Sequence, residues 1–351
     1  MKKISFKDFI FMSLSGATIG IISGLIPNII FGELFKYLQN YNSIFGEMLG
    51  VVQVIQFIIP ALVGVGVAMQ FKLNTMQTVT VAFAAMMGAG NIKAAAEGGW
   101  MIAGLGDLIN AILTAMIAVV FIYLIKDKVG SLALLAIPII GGAVPALIGK
   151  ITLPIVSSIT GYIGDVTASL TALQPLLMCI FMGIIFSMLI VTPISVIAVA
   201  FAINLSGIGS GAANLGLVGL VIMLGIGSHR AKNEIGVTMA IILGGVKSMM
   251  TNYFKYPIMN VPIAISTGIM GAMAYFFNIQ GTPGSAGFGF AGLVGPITAF
   301  SFMNQSTSMR LLILVLVYAI IPTIVGFLTH YICRDILKLY TDEIFAFKSE
   351  Q

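Results

Sequence analysis

Between Asp165 and Arg230 lie 64 residues without an Asp, Glu, Lys or Arg, and another 54 such residues separate Lys255 from Arg310. Only hydrocarbon, or protein buried within hydrocarbon, accommodates chain this long without charge. The composition agrees: 59% of residues are hydrophobic, 8% are charged, and the mean hydropathy is +1.08. A soluble core needs far less apolar surface. Lipid-facing β-strands would alternate apolar with polar residues, and these runs do not. The expected class is therefore an all-α, polytopic membrane protein.

The net charge of +5 does not point to nucleic acid, because the 17 basic residues are scattered in ones and twos between apolar segments. Loop asymmetry across a membrane explains them. Cys179 and Cys333 lie in apolar runs without metal-ligand spacing, so both read as packing residues. No metal, cofactor or catalytic residue is expected. Met1-Lys2-Lys3 before an apolar stretch imitates a secretory signal, but Phe9 to Gly32 runs without charge and lacks a small-residue cleavage site. It reads as a retained first span.

Charge-free windows predict spans near 9–32, 48–71, 75–92, 103–125 and 131–149, then 175–203, 235–253, 258–277, 286–303 and 311–333. About ten transmembrane helices result. The piece Gly211 to Gly227 holds five glycines in 17 residues and follows the turn beginning at Asn204, so it is expected to enter and leave on one side as a re-entrant hairpin. With that dip, both termini are cytoplasmic. Lys2, Lys3, Lys7, Lys72, Lys126, Lys128, Arg230, Lys232, Arg334, Lys338 and Lys348 then fall inside, and Lys36, Lys93, Lys150, Lys255 and Arg310 outside, as the positive-inside rule asks. Gly16, Gly20 and Gly24 share one helical face where another backbone can approach.

Ionisable and amide groups near spans are the candidates for a solute path. The densest group is Gly225-Ile-Gly-Ser228-His229-Arg230-Ala-Lys232-Asn233-Glu234. His229, Asn233 and Glu234 suit sugar hydroxyls; the same run also reads as a topology-setting loop. Asn252-Tyr-Phe-Lys255-Tyr-Pro257 combines an amide with aromatic rings, and fits either a carbohydrate site or an interfacial turn. Lys247 lies inside a predicted span and either snorkels or faces a polar cavity. The run Gly281-Thr282-Pro-Gly-Ser285 to Gly295-Pro296 can present unwound backbone, with Thr282 and Ser285, to a ligand. Its nominal GxGxxG is not a nucleotide loop, since no strand precedes it and no acid follows. Glu97 and Lys93, four apart, suit a helix-surface pair, and His330 reads as an interfacial anchor.

These runs, with the apolar layout, resemble the membrane C-subunits (EIIC) of the phosphotransferase system, in a free-standing branch that includes toxin-regulator-like proteins. The resemblance implies a glucose-superfamily EIIC-like fold of ten helices with one or two re-entrant hairpins, and a homodimer packed through residues 1–165. Residues 166–340 would hold the sugar, with 341–351 a cytoplasmic tail. In such relatives a histidine and a glutamate contact the sugar while a separate EIIB phosphocysteine delivers phosphate. His229 and Glu234 match by type. Two features depart from the family pattern: the run at 281–296 lacks a glutamate, and the chain carries no EIIB domain.

The expected function is a permease in the bacterial cytoplasmic membrane, moving a small carbohydrate with EIIB and EIIA as separate partners. The substrate-binding set is His229, Asn233, Glu234, Asn252, Thr282 and Ser285. Two other readings stand beside it: a membrane regulator or sensor that keeps the permease fold without group transfer, and a proton-coupled transporter of a non-sugar solute, with Glu234 or Asp107 as proton carrier.

Overall fold

The computed structural model describes residues 5–203 and 205–347. Lys2, Lys3, Asn204 and Lys348, named above, lie outside them. The chain divides into two compact units, Met1–Ile159 and Thr160–Gln351.

The first unit is built from α1 (Phe6–Leu38), α2 (Ile44–Phe57), α3 (Ile59–Gln70), α4 (Thr75–Gly88), α5 (Leu108–Ile125) and α6 (Ala133–Ala136), followed by a π-helical turn and α7 (Val144–Ser169), which runs on into the second unit. The α2–α3 pair bends by 52°. Pro60 there has no N–H to return to the Gln56 carbonyl. The α1 glycines meet α3: a Cβ on Gly16 would strike the Gly66 carbonyl, and one on Gly20 the Leu62 backbone. Asn110 is buried in α5 and donates to the carbonyls of Gly88 (2.6 Å) and Gly149 (2.7 Å), tying α4 and α7 to α5. Asp107 caps α5 by accepting from the Asn110 N–H at 2.9 Å. Residues 92–102 are not helical, because β1 (Ile92–Ala94) pairs antiparallel with β2 (Trp100–Ile102). Lys93 and Glu97 therefore share no helix face.

The second unit contains α8 (Pro175–Val191), α9 (Val196–Ala202), α10 (Gly207–Arg230), α11 (Ile235–Ile242), α12 (Met250–Lys255), α13 (Asn260–Phe276), α14 (Val294–Phe302), α15 (Thr307–Val315) and α16 (Ile321–His330). Helix direction follows from close approaches. Gly209 lies by Met178 and Gly216 by Gly183, so α8 and α10 run parallel. Gly183 lies against Thr267 and Gly271 while Cys179 meets Gly271, so α13 runs the other way. Tyr318 reaches Asn214, Gly326 faces Ile222 and Ile226, and Arg230 pairs with Asp335, so the 307–336 segment parallels α10.

Two expectations are corrected. Residues 211–227 do not dip and return; they lie within the unbroken 24-residue helix α10, which is 83% buried over its apolar window. Their glycines admit neighbours instead of breaking the helix: Gly216 abuts Gly183 and Gly219 abuts Met270. The bend falls at 235–255, where α11 and the segment Val246–Lys255 meet at 117°. Gly244 takes φ +113° there, and the Gly245 N–H closes on the Ala240 carbonyl at 2.7 Å, a glycine-dependent helix end. Lys255 consequently sits at the same end of the unit as Arg230. The count of ten spans also falls: among the described residues six helices are long and apolar enough to cross a membrane, up to eight if each bent pair is one span, with Pro175–Val191 and Ala291–Phe302 shorter.

Placing a branched side chain on the α1 face should force α1 from α3. Gly20→Ile is expected to cost about 1–3 kcal/mol, read as a lower unfolding temperature in detergent. Gly50→Ala, where a Cβ meets nothing within 4 Å, should leave it unchanged or raised.

Candidate functional site

The second unit is interrupted from both ends. From the end where α10 finishes, the 235–255 hairpin folds back through the Gly244 bend. From the opposite end the glycine-rich run descends along α10. Gly281 and Gly207 exchange backbone hydrogen bonds of 2.9 and 3.0 Å, Ser210 donates to the Thr282 carbonyl at 2.6 Å, Asn214 donates to the Ser285 carbonyl at 2.7 Å, and Gly289 packs on Leu217. The stretch of α10 from Gly207 to Leu217, ten steps of 1.5 Å or about 15 Å, is thus lined by non-helical backbone. That depth is about half a hydrocarbon core.

The predicted site residues fall in two places. Thr282 and Ser285 belong to the glycine-rich run and bond each other: Ser285 Oγ accepts from the Thr282 N–H at 2.9 Å and reaches its carbonyl at 3.0 Å. Asn214, a residue not singled out by the sequence, is their support. Its Nδ2 holds the run and its Oδ1 accepts from the Tyr318 hydroxyl at 2.9 Å. An asparagine in the middle of an uncharged run was the available signal.

Asn233 and Asn252 meet at the other end, where both grip the strap 341–347. Asn233 donates to the Phe345 carbonyl (2.8 Å) and accepts from the Phe347 N–H (2.8 Å). Asn252 donates to the carbonyls of Ile344 (2.9 Å) and Ala346 (2.8 Å). Phe345 is fully buried over Gly227, with its ring against His330 and Tyr340. His330 is 0% exposed, with one ring nitrogen 2.8 Å from the Met223 carbonyl and the other 3.0 Å from the Tyr340 hydroxyl, so it is an interior group and not an interfacial anchor. Burial pushes the Tyr340 hydroxyl above the usual phenol range. Arg230 bonds Asp335 (3.2 Å) and Asp342 (3.3 Å), and Arg334 bonds both aspartates, closing the strap's first turn. His229 and Glu234 stand exposed beside this knot.

Lys247 neither snorkels nor meets an acid. It is 9% exposed at the inner end of the 235–255 hairpin and donates to the carbonyls of Thr192 and, at 3.2 Å, Ile194. Those carbonyls belong to the break between α8 and α9. Among the described residues no group of His, Cys, Asp and Glu could hold a metal ion.

Crossing helices, re-entering segments and buried polar groups at their junctions define a multi-pass membrane protein of the permease kind. The family described as the phosphotransferase system, EIIC, matches residues 11–347, nearly the whole chain, and the chain belongs to it. No curated protein and no solved structure matches the chain.

Two tests follow from these supports. Asn214→Ala strands the Tyr318 hydroxyl and two carbonyls, costing about 1–3 kcal/mol, whereas Tyr318→Phe costs about 1; thermal unfolding in detergent should rank them in that order. Phe345→Ala removes an anchor worth about 3–5 kcal/mol, and limited trypsin digestion should then cleave faster at the exposed Lys338 than in the parent.

Proposed function

We propose that this protein is the membrane permease subunit of a phosphotransferase-type system and carries a small carbohydrate across the bacterial cytoplasmic membrane, with phosphate supplied through separate EIIB and EIIA proteins. The observation that carries the reading is the pair of opposed re-entering segments, 235–255 and 281–306, in a chain of the EIIC family. Discontinuous helices that meet within a bilayer are where transporters bind solutes and alternate access. The second unit is the translocating half, and the first is the scaffold through which two copies pair.

Orientation is supported by charge. Arg230, Lys232, Lys255, Arg334 and Lys338 gather at one end of the second unit, and Arg310 lies at the other. The positive-inside rule makes the former cytoplasmic. His229 and Glu234, exposed at that end, would meet the solute as it leaves and the phosphocarrier that donates a phosphoryl group to it. Thr282 and Ser285 line the path from the other side, while Asn233 and Asn252 hold its cytoplasmic rim through the strap. That same saturation of two amides by the chain's own strap favours, as a second reading, a sensor that keeps the fold without group transfer.

Proteoliposomes loaded with phosphorylated EIIB should take up and phosphorylate a carbohydrate from a mixed panel. Replacing His229 and Glu234 together by Ala removes hydrogen bonds worth about 1.5–3 kcal/mol each when charged, so uptake should fall by roughly tenfold or more. An intact protein that binds carbohydrate but neither takes it up nor phosphorylates it selects the sensor, and uptake unaltered by the double change overturns the roles given to His229 and Glu234. An intact protein that binds no member of the panel overturns the carbohydrate assignment.

A further inference from the structure

Lys247 is held where a cation is costly. The turn that carries it, Val246–Met249, packs against α8, α11 and α12. Among the described residues, the only Asp, Glu, Lys or Arg side chains on or capping those elements are Lys255 and Glu234, the residue before α11. Among the described residues the remaining second-unit carboxylates either sit in the Arg230–Arg334 knot, as Asp335 and Asp342 do, or lie in the flanking segments, as Asp165 and Glu343 do. Lys247 therefore has carbonyl partners only, those of Thr192 and Ile194. Thr192 is the C-terminal cap of α8, and a helix end carries about half a negative charge. Half a charge does not neutralise a buried ammonium, and an ammonium has three N–H donors for these two carbonyls.

The surroundings hold further unspent polar capacity. Ser248, next in the chain and 8% exposed, has a buried hydroxyl with no partner among the described residues, and Ser187, 0% exposed, has another. Ser187 lies on α8, five residues before Thr192, whose carbonyl Lys247 takes. Native interiors seldom leave such hydroxyls unsatisfied unless something else comes to them. An unneutralised cation, its free donor and two orphan hydroxyls at the junction of two broken helices make a receptor for a solute that is both anionic and rich in hydroxyls.

We propose that Lys247, with Ser248 and Ser187, forms the solute-binding centre, and that it selects a carbohydrate bearing a carboxylate, a sugar acid, over the neutral sugar. The inference rests on the carbohydrate-permease reading and narrows it. A carboxylate fits better than a phosphate ester because a phosphotransferase permease receives sugars that still have a hydroxyl to be phosphorylated. The carboxylate takes the free N–H of Lys247, and the sugar hydroxyls pair with the two serines.

Purified protein titrated calorimetrically with matched pairs, glucose against glucuronate and gluconate, and galactose against galacturonate, tests this, with lactate and citrate as anions that are not sugars. The acid member of a pair should bind at least tenfold more tightly than its neutral partner. Lys247→Met should erase that preference, Lys247→Arg should keep it, and Ser248→Ala should weaken both members alike. The parent protein's ratio needs no variant, so the test survives a misfolded Lys247→Met. Equal or stronger binding of neutral sugars, acid preference persisting in Lys247→Met, or no binding of any anion overturns the proposal. Binding of lactate or citrate through Lys247 without any sugar keeps the anion site and overturns the carbohydrate assignment instead.

Discussion

Backbone N–H and C=O groups have no water to turn to inside hydrocarbon, and the second unit is arranged around that constraint. At two of the places where its helices stop, another segment supplies the missing partner. The glycine-rich run is satisfied by Gly207, Ser210 and Asn214 of α10; the α8–α9 break is satisfied by Lys247. Interruption and polar side chain come as pairs. This is why the few polar residues within long uncharged runs carry so much of the architecture, and why moving one exposes backbone on a distant element.

The two interruptions differ in kind. The glycine-rich run is closed by neutral donors and acceptors with every partner close by, so it is a rigid wall. The hairpin from the other end places a lysine amine against carbonyls alone and leaves hydroxyls over. Rigidity on one face and unspent polarity on the other is an asymmetry suited to a site that holds still against α10 and responds at Lys247.

Much of this was legible in residues alone. The uncharged run from 166 to 229 dictates membrane burial, and Gly16, Gly20 and Gly24 announce a close backbone neighbour, which is α3. The places of the crossing and the bend were exchanged. Glycine density in 211–227 reads as a break, yet Gly216 and Gly219 serve packing. The Gly244–Gly245 pair barely lowers the hydropathy of 235–253, yet it turns the chain by 117°. Asn233 and Asn252 stand out as polar clusters, but their partners lie 112 and 92 residues downstream. No local pattern discloses a strap at that separation. His330 failed for the same reason: the Met223 carbonyl that holds its ring comes from α10, 107 residues upstream.

The strap also orders events during synthesis. Residues 341–347 emerge after every helix of the second unit, and until they do Asn233, Asn252 and the cleft over Gly227 lack the groups that fill them. Docking of the strap is thus a late step, possible only once the helix ends that it bridges, those of α10, α12 and α16, have been made.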